Sequence, residues 1–592
     1  MDLKKVNSFR LSMPDKINIL KIILIGFVGF YLIANFIPYY ETSDGYTLAS
    51  IGIKLSQGEY AITNELLEKT GRFEFKPGDW ANTVDPTVAV PLGPIGFHFW
   101  AAFVYLTTGN FGLFYFGPIS GIILLIVTDR VSTKLFGKNI GLLSILFLAT
   151  NHIFLRSALS FQTESISTIF FLLGFFLMIK FLETKSNYTI FLTSFFFVIA
   201  TLIRISSAIY FPAELIFLIS YFIFIKYKRK DIEKNTKNKH IKFNKKILSK
   251  SFFSKSGLIL LPWIIFIIFW FGYHDTFFGD PFTTQIIIQR GEGTTEKELS
   301  SFLEIENRHY ENVKQYSKYL LPYQFPAMES SIFSNLDYLV GKFWLGIVSL
   351  LILFSSIIIS IKTKDHRKEI VAIAFFIIST VWFYAALTSE DRASFGVPGR
   401  YMFPAFTLFY MILSFLIVKF YSIDIISIRF RKFLAKPFKI GIILSLGLFF
   451  ATSMYFAPYG NAIIENDYQI NNPSELSVNH PPLLEGLSKN SVIVALKTDR
   501  ILEYDVIPFQ IVPIDDKKAP EDSISLLTEI INDDYSVYVF KTPTTIHEKI
   551  ILQDLVDNHN FILQDYSESF CTIKIKTNES TSIENDPVCL LN

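Results

Sequence analysis

The feature that most constrains this chain is a succession of long, uncharged apolar runs. Hydrophobic residues make up 51% of the 592-residue sequence, and charged residues only 18%. A run of about 20 apolar residues can cross a bilayer as a helix, because its backbone polar groups bond to one another inside the helix. We therefore predict a polytopic α-helical membrane protein with about eleven transmembrane helices. The apolar runs are 17–37, 111–127, 140–155, 165–182, 188–203, 208–225, 258–273, 339–361, 370–387, 402–420 and 440–456.

The placement of one further apolar stretch, residues 88–106, decides the topology. It contains Pro91, Pro94 and several glycines, and proline interrupts a helix. If it crossed the membrane, the Lys-rich segment 226–255 would lie on the side opposite the basic N-terminus, against the positive-inside rule. We therefore expect 88–106 to form a broken helix along the outer interface, with the N-terminus and segment 226–255 in the cytoplasm.

This topology divides the chain into a membrane domain and an external domain. Residues 1–457 form the predicted membrane domain, whose catalytic outer loop is 38–106. From Pro458 onward the composition is polar, which predicts a small extracytoplasmic α/β domain at 458–592, because an odd number of spans ends outside. The protein is thus expected in the plasma membrane. The predicted strands of the external domain are 491–496, 536–540 and 570–575, and its predicted helices are 523–531 and 546–556.

Three carboxylates on the predicted outer face are candidate catalytic groups. Asp44 follows the first apolar run closely, so it is held near the interface, where partial desolvation raises the basicity of a carboxylate. It could take a proton from an acceptor hydroxyl, or simply cap the helix-like stretch 46–55. Glu164 lies where two apolar runs meet, and could be a site residue or an ion-pair partner of Arg156. Asp85, in the same outer loop as Asp44, is the third candidate.

Cations at helix ends on the same face are candidate contacts for a lipid phosphate or substrate. Arg400 and Tyr401 adjoin the run 402–420, and a guanidinium presents a fork of donors that matches phosphate oxygens. Arg204 ends another run at the same predicted depth, and Arg156 belongs to the same outer group. An arginine at a helix end also commonly extends toward lipid headgroups, so both interpretations stay open for Arg204 and Arg400.

Other features bear on cofactors and partners. No second histidine accompanies His98 and Asp85 at ligand spacing, so the sequence predicts no metal site, although a divalent metal cofactor is left open. The Lys-rich segment is typical of a cytoplasmic surface against anionic lipid and not of a nucleic-acid site. The only cysteines, Cys571 and Cys589, could form a disulfide or remain as two thiols.

The order of several short motifs resembles the GT-C superfamily of membrane glycosyltransferases, in particular the protein O-mannosyltransferase and lipid A aminoarabinose transferase group. The resemblance covers roughly the first 420 residues. It departs from the usual pattern in having Glu at position 164, where Asp is commoner, and Val90 in place of a proline. The motifs are SDGYTLASIGIKLSQGEY, VPLGPIGFHFWAAFVYLTTG, TDRVSTKLFGKNIG, QTES, FGDPF and RYMFP.

The resemblance implies an enzyme that moves a sugar from a polyprenyl-phosphate or dolichyl-phosphate donor to a hydroxyl of a protein, lipid or glycan, with inversion at the sugar carbon. It implies that Asp44 is the general base, Glu164 the second acidic site residue, and Arg400 with Tyr401 the contact for the lipid phosphate. The alternative is a transporter or lipid flippase. A transporter is expected to have ionisable groups near the middle of its helices, or paired broken helices in two related halves. Only His152 and Glu214 are candidates for such ionisable groups.

Overall fold

The structure, a computed structural model, describes about half of the chain. The described residues are 13–37, 43–58, 60–63, 80–85, 88–91, 95–220, 245–279, 344–363, 366–387, 400, 402–422, 447, 451, 454, 491–495, 510–513, 524–525, 528, 536–540, 550, 561–567 and 570–575.

Helices dominate the described residues, and they follow the apolar runs because such runs satisfy their backbone polar groups internally. A 3₁₀ turn at Ile205–Ile209 leads from the seventh helix into the eighth. The helices are α1 (Met13–Ala34), α2 (Ser43–Ser56), α3 (Ile95–Phe136), α4 (Lys138–Ala149), α5 (His152–Leu159), α6 (Glu164–Thr184), α7 (Asn187–Ile203), α8 (Ser207–Ser220), α9 (Lys245–Phe278), α10 (Trp344–Thr363), α11 (Arg367–Leu387) and α12 (Phe403–Ser422).

Several of these helices have the length and apolarity of membrane spans. Within the described residues, four qualify alone, and a fifth is added if the bent pair α4 and α5 counts as one span. Large apolar side chains on their surfaces remain exposed, with Ile22 71%, Phe30 74% and Ile268 67% accessible. Exposed apolar surface of this kind suits contact with lipid. The chain is therefore a polytopic helical membrane protein, as predicted.

Two small sheets accompany the helices. One contains β1 (Ile62–Thr63), β2 (Trp80–Asn82) and β3 (Val88–Pro91) in the antiparallel order β1-β3-β2. The other has the order β5-β4-β6-β8-β7, in which β4 pairs in parallel with β5 and β6, and β8 in antiparallel with β6 and β7. Its strands are β4 (Ser491–Ala495), β5 (Gln510–Pro513), β6 (Ser536–Phe540), β7 (Phe561–Ser567) and β8 (Phe570–Ile575).

The predicted helix over 88–106 is partly wrong. Val88–Pro91 forms strand β3, because its backbone pairs with β1 and β2 from elsewhere in the outer loop. The helix begins only at Ile95. It is interrupted at Gly109, whose φ of 62° and ψ of −155° lie outside the helical region and favour glycine. The helix is unbroken from Ile95 to Leu106, and its break lies beyond the predicted stretch.

The predicted span over 140–155 is bent in the structure. The run is divided between α4 and α5, whose axes differ by 71°. At the break, the Asn151 side chain accepts a hydrogen bond of 2.9 Å from the backbone N–H of Phe154 and donates one of 2.6 Å to the Tyr410 hydroxyl. The first contact caps α5 and the second ties the break to α12, so an internal amide replaces the missing helical hydrogen bonds.

Aromatic side chains pack between the helices. Phe171 of α6 lies 4.3 Å from the Tyr210 ring of α8 and 5.9 Å from the Phe376 ring of α11, measured between centroids. Small residues nevertheless bring α3 and α5 together. A Cβ at Gly117 would lie 2.2 Å from the Ser160 carbonyl oxygen. The core thus combines aromatic bulk with at least one close backbone approach.

Glu214 is one of the two ionisable residues that the transporter alternative would place inside the membrane. Its contacts are those of a residue that holds helices together. It is fully buried. Its carboxyl group accepts hydrogen bonds from the Ser194 hydroxyl at 2.7 Å and from the Trp263 indole N–H at 3.2 Å. These contacts join α7, α8 and α9, and they satisfy a polar group that would otherwise be costly in the membrane.

The contacts divide the chain into two compact units. The first contains Met1–Tyr39, Pro94–Phe271 and Arg290–Tyr468, and the second contains Tyr40–Gly93, Gly272–Gln289 and Gln469–Asn592. The candidate site described next lies within the first unit.

Candidate active site

The centre of the site is the ion pair between Glu164 and Arg204. Glu164 is the first residue of α6, where a carboxylate is favoured by the helix dipole, and Arg204 follows the last residue of α7, where a cation is favoured. The guanidinium Nη1 lies 2.5 Å from Glu164 Oε1 and donates to the Thr163 hydroxyl at 3.1 Å. The Glu164 side chain is 2% exposed and that of Arg204 14%, so the pair is almost fully withdrawn from water.

A tight connection brings these two residues together. Lys185 ends α6 in the left-handed conformation, with φ of 55°, and its backbone N–H donates to the Phe181 carbonyl. Only Ser186 separates it from the start of α7. Two helices joined this closely run antiparallel, so the start of α6 and the end of α7 lie at the same end of the hairpin.

Arg400 approaches the same carboxylate from a distant part of the chain. Its Nε lies 3.8 Å from Glu164 Oε1, and its side chain is 30% exposed. Arg400 stands just before α12, so the cluster joins the α6/α7 hairpin to that helix. Two guanidiniums face one carboxylate, which leaves the cluster with a net charge of about +1.

A small pocket, with a free volume of about 10 Å³, lies beside this cluster. Tyr210, Phe403 and Pro404 form its apolar wall. Its polar lining consists of Glu164, Ser167, Thr168, Arg204, Ser207 and Arg400. A small cavity with charged and hydroxyl groups among apolar helices is a candidate binding site.

The structure corrects one alternative drawn from the sequence. Among the described residues, Glu164 forms its ion pairs with Arg204 and Arg400, and not with Arg156. Arg156 lies in the short helix α5, partly buried, and its carbonyl accepts a hydrogen bond from Ser160. Arg204, which could have extended to lipid headgroups, is instead buried against Glu164.

The other predicted site residues belong to the outer loop or fall outside the described side chains. The backbone of Asp44 is the second residue of α2, while its side chain and the whole of Tyr401 lie outside the description. Asp85 is exposed in the turn between β2 and β3, where its carbonyl accepts from the Thr83 hydroxyl at 2.8 Å and from the Val88 N–H at 3.1 Å. Their roles stay predictions.

A tyrosine pair braces this outer loop. The Tyr60 hydroxyl donates to the Tyr273 hydroxyl at 3.3 Å, and Tyr273 in turn donates to the Pro91 carbonyl at the same distance. Burial raises the pKa of Tyr60 to about 12, since an apolar setting disfavours the phenolate. Tyr60 therefore remains a neutral hydrogen-bond donor at any physiological pH.

Sequence reasoning missed the hydroxyl side chains of the pocket. Ser167 and Thr168 lie three and four residues after Glu164, on the same helical face, and that spacing could have identified them. Ser207 follows Arg204 by one turn, and its hydroxyl lies 3.1 Å from that of Ser167. As for metals, no group of three His, Cys, Asp or Glu side chains that could share an ion occurs in the described part of the chain.

The segment that builds most of this pocket matches a known family model. Residues 90–237, which include Glu164, Thr168 and Arg204, match the model of dolichyl-phosphate-mannose-protein mannosyltransferases. The predicted resemblance to the GT-C glycosyltransferases is confirmed. No curated protein matches the chain.

Two solved structures align with most of this chain at low identity. ArnT from Cupriavidus metallidurans, bound to undecaprenyl phosphate, is 10% identical, with a TM-score of 0.49 over 95% of this chain and 98% of that chain. The archaeal oligosaccharyltransferase AglB from Archaeoglobus fulgidus, in complex with an inhibitory peptide and a dolichol-phosphate, is 11% identical, with a TM-score of 0.46 over 88% of this chain and 69% of that chain. Likeness at this level does not carry a function from one protein to another.

Proposed function

We propose that this protein is a membrane glycosyltransferase that moves a sugar from a polyprenyl-phosphate or dolichyl-phosphate donor to a hydroxyl of a protein, lipid or glycan. One observation carries the proposal. Within the segment that matches the mannosyltransferase family, a buried carboxylate is held between two guanidiniums beside a polar pocket. Ionisable groups are costly among apolar helices and are retained there for function.

The two arginines have different roles in this proposal. Arg204 lies 2.5 Å from Glu164 and is nearly buried, so it fixes that carboxylate in place by a charge-assisted hydrogen bond. Arg400 is more exposed and lies 3.8 Å from the same oxygen. Its guanidinium therefore faces the donor phosphate at the mouth of the pocket and stabilises the charge that develops there.

The transfer itself needs a proton acceptor and an anion-stabilising group. Asp44 takes the proton of the acceptor hydroxyl as that oxygen bonds to the anomeric carbon of the sugar. The bond between this carbon and the phosphate oxygen breaks, and the lipid phosphate leaves toward Arg400 and Tyr401. Asp85 is the second candidate for the base.

The proposal includes an orientation and a division of the chain. The basic N-terminus and segment 226–255 are cytoplasmic, and about eleven helices cross the plasma membrane. Residues 1–457 carry the transfer reaction, while 458–592 form an external α/β domain that binds the acceptor or covers the site. The parallel strands β4, β5 and β6 support the α/β class of this domain, because parallel neighbours need crossover connections, which are usually helices.

The test is turnover of a panel of polyprenyl-phosphate sugars by the purified protein in detergent. We expect wild-type turnover, a loss of 10²-fold or more in kcat for Asp44→Asn, and a loss of roughly 10²-fold for Arg400→Gln and Glu164→Gln. Matched controls are Glu183→Gln, an exposed carboxylate at the other end of α6, and Arg130→Gln, an exposed arginine in α3. Both controls should keep wild-type kcat within about twofold.

Each outcome has a meaning. Turnover that survives in a folded Asp44→Asn protein would move the base to Asp85 or Glu164. No turnover of any donor by folded wild type would reject the enzyme and favour the transporter. Melting temperatures of all variants in the same detergent distinguish lost chemistry from lost folding.

A further inference from the structure

Thr168 and Thr128 are fully buried helical threonines whose hydroxyls have no hydrogen-bond partner among the described residues, and of the two only Thr168 lines the pocket. A buried helical threonine usually donates to the carbonyl four residues earlier. Thr193 does so at 3.0 Å, Thr201 at 2.9 Å and Thr380 at 2.7 Å. The Thr168 hydroxyl is fully buried and has no hydrogen-bond partner in the part of the chain that the structure describes. It lines the pocket instead.

A second oxygen in the same pocket is also available. Glu164 uses Oε1 for both arginines, while its Oε2 is buried and has no hydrogen-bond partner among the described residues. Glu164 and Thr168 are one helical turn apart, so the two oxygens lie on one face of α6. The neighbouring hydroxyl of Ser167 is engaged, since it donates to the Ala200 carbonyl at 3.1 Å.

These two oxygens restrict the chemistry of a ligand. Glu164 Oε2 can only accept, so the group that reaches it must donate a proton, which a phosphate oxygen without a proton cannot do. An ammonium group would meet a cluster whose net charge is about +1, and like charges repel. Thr168 can both donate and accept. A neutral hydroxyl group is the ligand that satisfies both side chains.

The size of the pocket limits which part of a substrate enters. Its free volume is about 10 Å³, which is close to the space that one water molecule occupies. A space of this size admits a single hydroxyl group of a larger molecule, while the rest of that molecule stays outside the pocket.

We propose that Glu164 Oε2 and Thr168 Oγ1 form a subsite for one ring hydroxyl of the donor sugar, with Thr168 as the residue that determines specificity for that hydroxyl. This inference rests on the proposed glycosyltransferase function. In the subsite the sugar hydroxyl donates to Glu164 and accepts from Thr168. A sugar without this hydroxyl leaves two buried oxygens unsatisfied, which is the condition for strong discrimination.

The test compares Thr168→Val with the matched control Thr193→Val in the full-length protein. Valine keeps the shape of threonine and removes the hydroxyl, and Thr193 is equally buried but lies outside the pocket lining. Each protein is assayed with a polyprenyl-phosphate hexose and with analogues that each lack one ring hydroxyl. Relative to wild type, we expect Thr168→Val to lower kcat/KM about tenfold for the full donor. For the one analogue that lacks the bound hydroxyl, Thr168→Val should lower kcat/KM less than twofold. Thr193→Val should stay near wild type with every donor.

The outcomes separate the subsite from the enzyme function. Equal losses with every donor, or no loss with the full donor, would overturn the subsite while leaving the glycosyltransferase proposal in place. If folded wild type turns over no donor, the function fails, and calorimetric binding of the same donors decides the subsite. The subsite would then be supported if Thr168→Val weakened the binding of the full donor but not that of the analogue without the bound hydroxyl. Unchanged binding, or no binding by any protein, would overturn the subsite.

Discussion

At the scale of single residues, the burial of Glu164 defines the role of Arg204. Neither residue has much access to water, so the charge of each must be balanced by the other. Glu164 can contribute to the site only while Arg204 compensates its negative charge. Arg204 is accordingly a positioning residue, whose contribution acts through Glu164.

Replacing Arg204 with Met should destabilise the protein by about 3–5 kcal/mol, because an ion in a buried pair loses its closest partner. The double variant Arg204→Met/Glu164→Gln should recover most of that loss, since it removes the unbalanced charge, yet it should remain inactive. Chemical unfolding in detergent measures both effects. Arg130→Met, at an exposed position in α3, is the control, and equal stability of the single and double variants would contradict the interpretation.

The sequence identified Glu164, Arg204 and Arg400 separately but not the contacts among them. The positions of all three follow from helix ends, which apolar runs predict well. Their pairing depends on the two-residue connection between α6 and α7 and on the approach of α12, and these are tertiary features. The choice of Arg204 over Arg156 as the partner of Glu164 could not be made without them.

At the scale of elements, the contact of α3 with α5 depends on a glycine. Gly117 has no room for a side chain, because a Cβ there would lie 2.2 Å from a backbone oxygen that cannot rotate away. Gly26 in α1 has no atom within 4 Å of the same position. The two glycines therefore form a matched pair for testing the helix contact.

Gly117→Ala should lower stability by about 1–3 kcal/mol, the range found for overpacked interiors, and should separate α3 from α5. Gly26→Ala should be neutral or stabilising by up to about 1 kcal/mol, since alanine favours helix more than glycine does. Melting temperatures in one detergent compare the two directly. An equal effect of both substitutions would mean that backbone flexibility, and not the close contact, decides the result.

The bounds of elements could be predicted where local sequence determines them. Helices α6, α7 and α11 and strands β6 and β8 lie within three residues of their predicted limits. The break between α4 and α5 carries no proline or glycine, and depends instead on Asn151 meeting Tyr410 from a distant helix. Likewise β3 forms through pairing with other strands, so its own composition could not reveal it.

At the scale of the whole molecule, the proposed orientation follows from charge distribution. The positive-inside rule predicts that segment 226–255 is cytoplasmic and that the β4–β8 sheet is external. In a bacterial host, alkaline phosphatase fused after Ile575 should be active, and green fluorescent protein fused after Lys237 should fluoresce. The opposite pattern at either position would refute the topology, while reciprocal fusions at the same sites serve as controls.

The cluster of Glu164, Arg204 and Arg400 also has a consequence for biosynthesis. The ribosome makes Glu164 and Arg204 well before Arg400, since nearly two hundred residues separate Arg204 from Arg400. At about 5–20 residues per second, the first pair waits in the translocon for roughly 10–40 s before its third member is made. A chain that ended before Arg400 would still form the balanced pair of Glu164 and Arg204, but it would lack the second guanidinium beside that carboxylate.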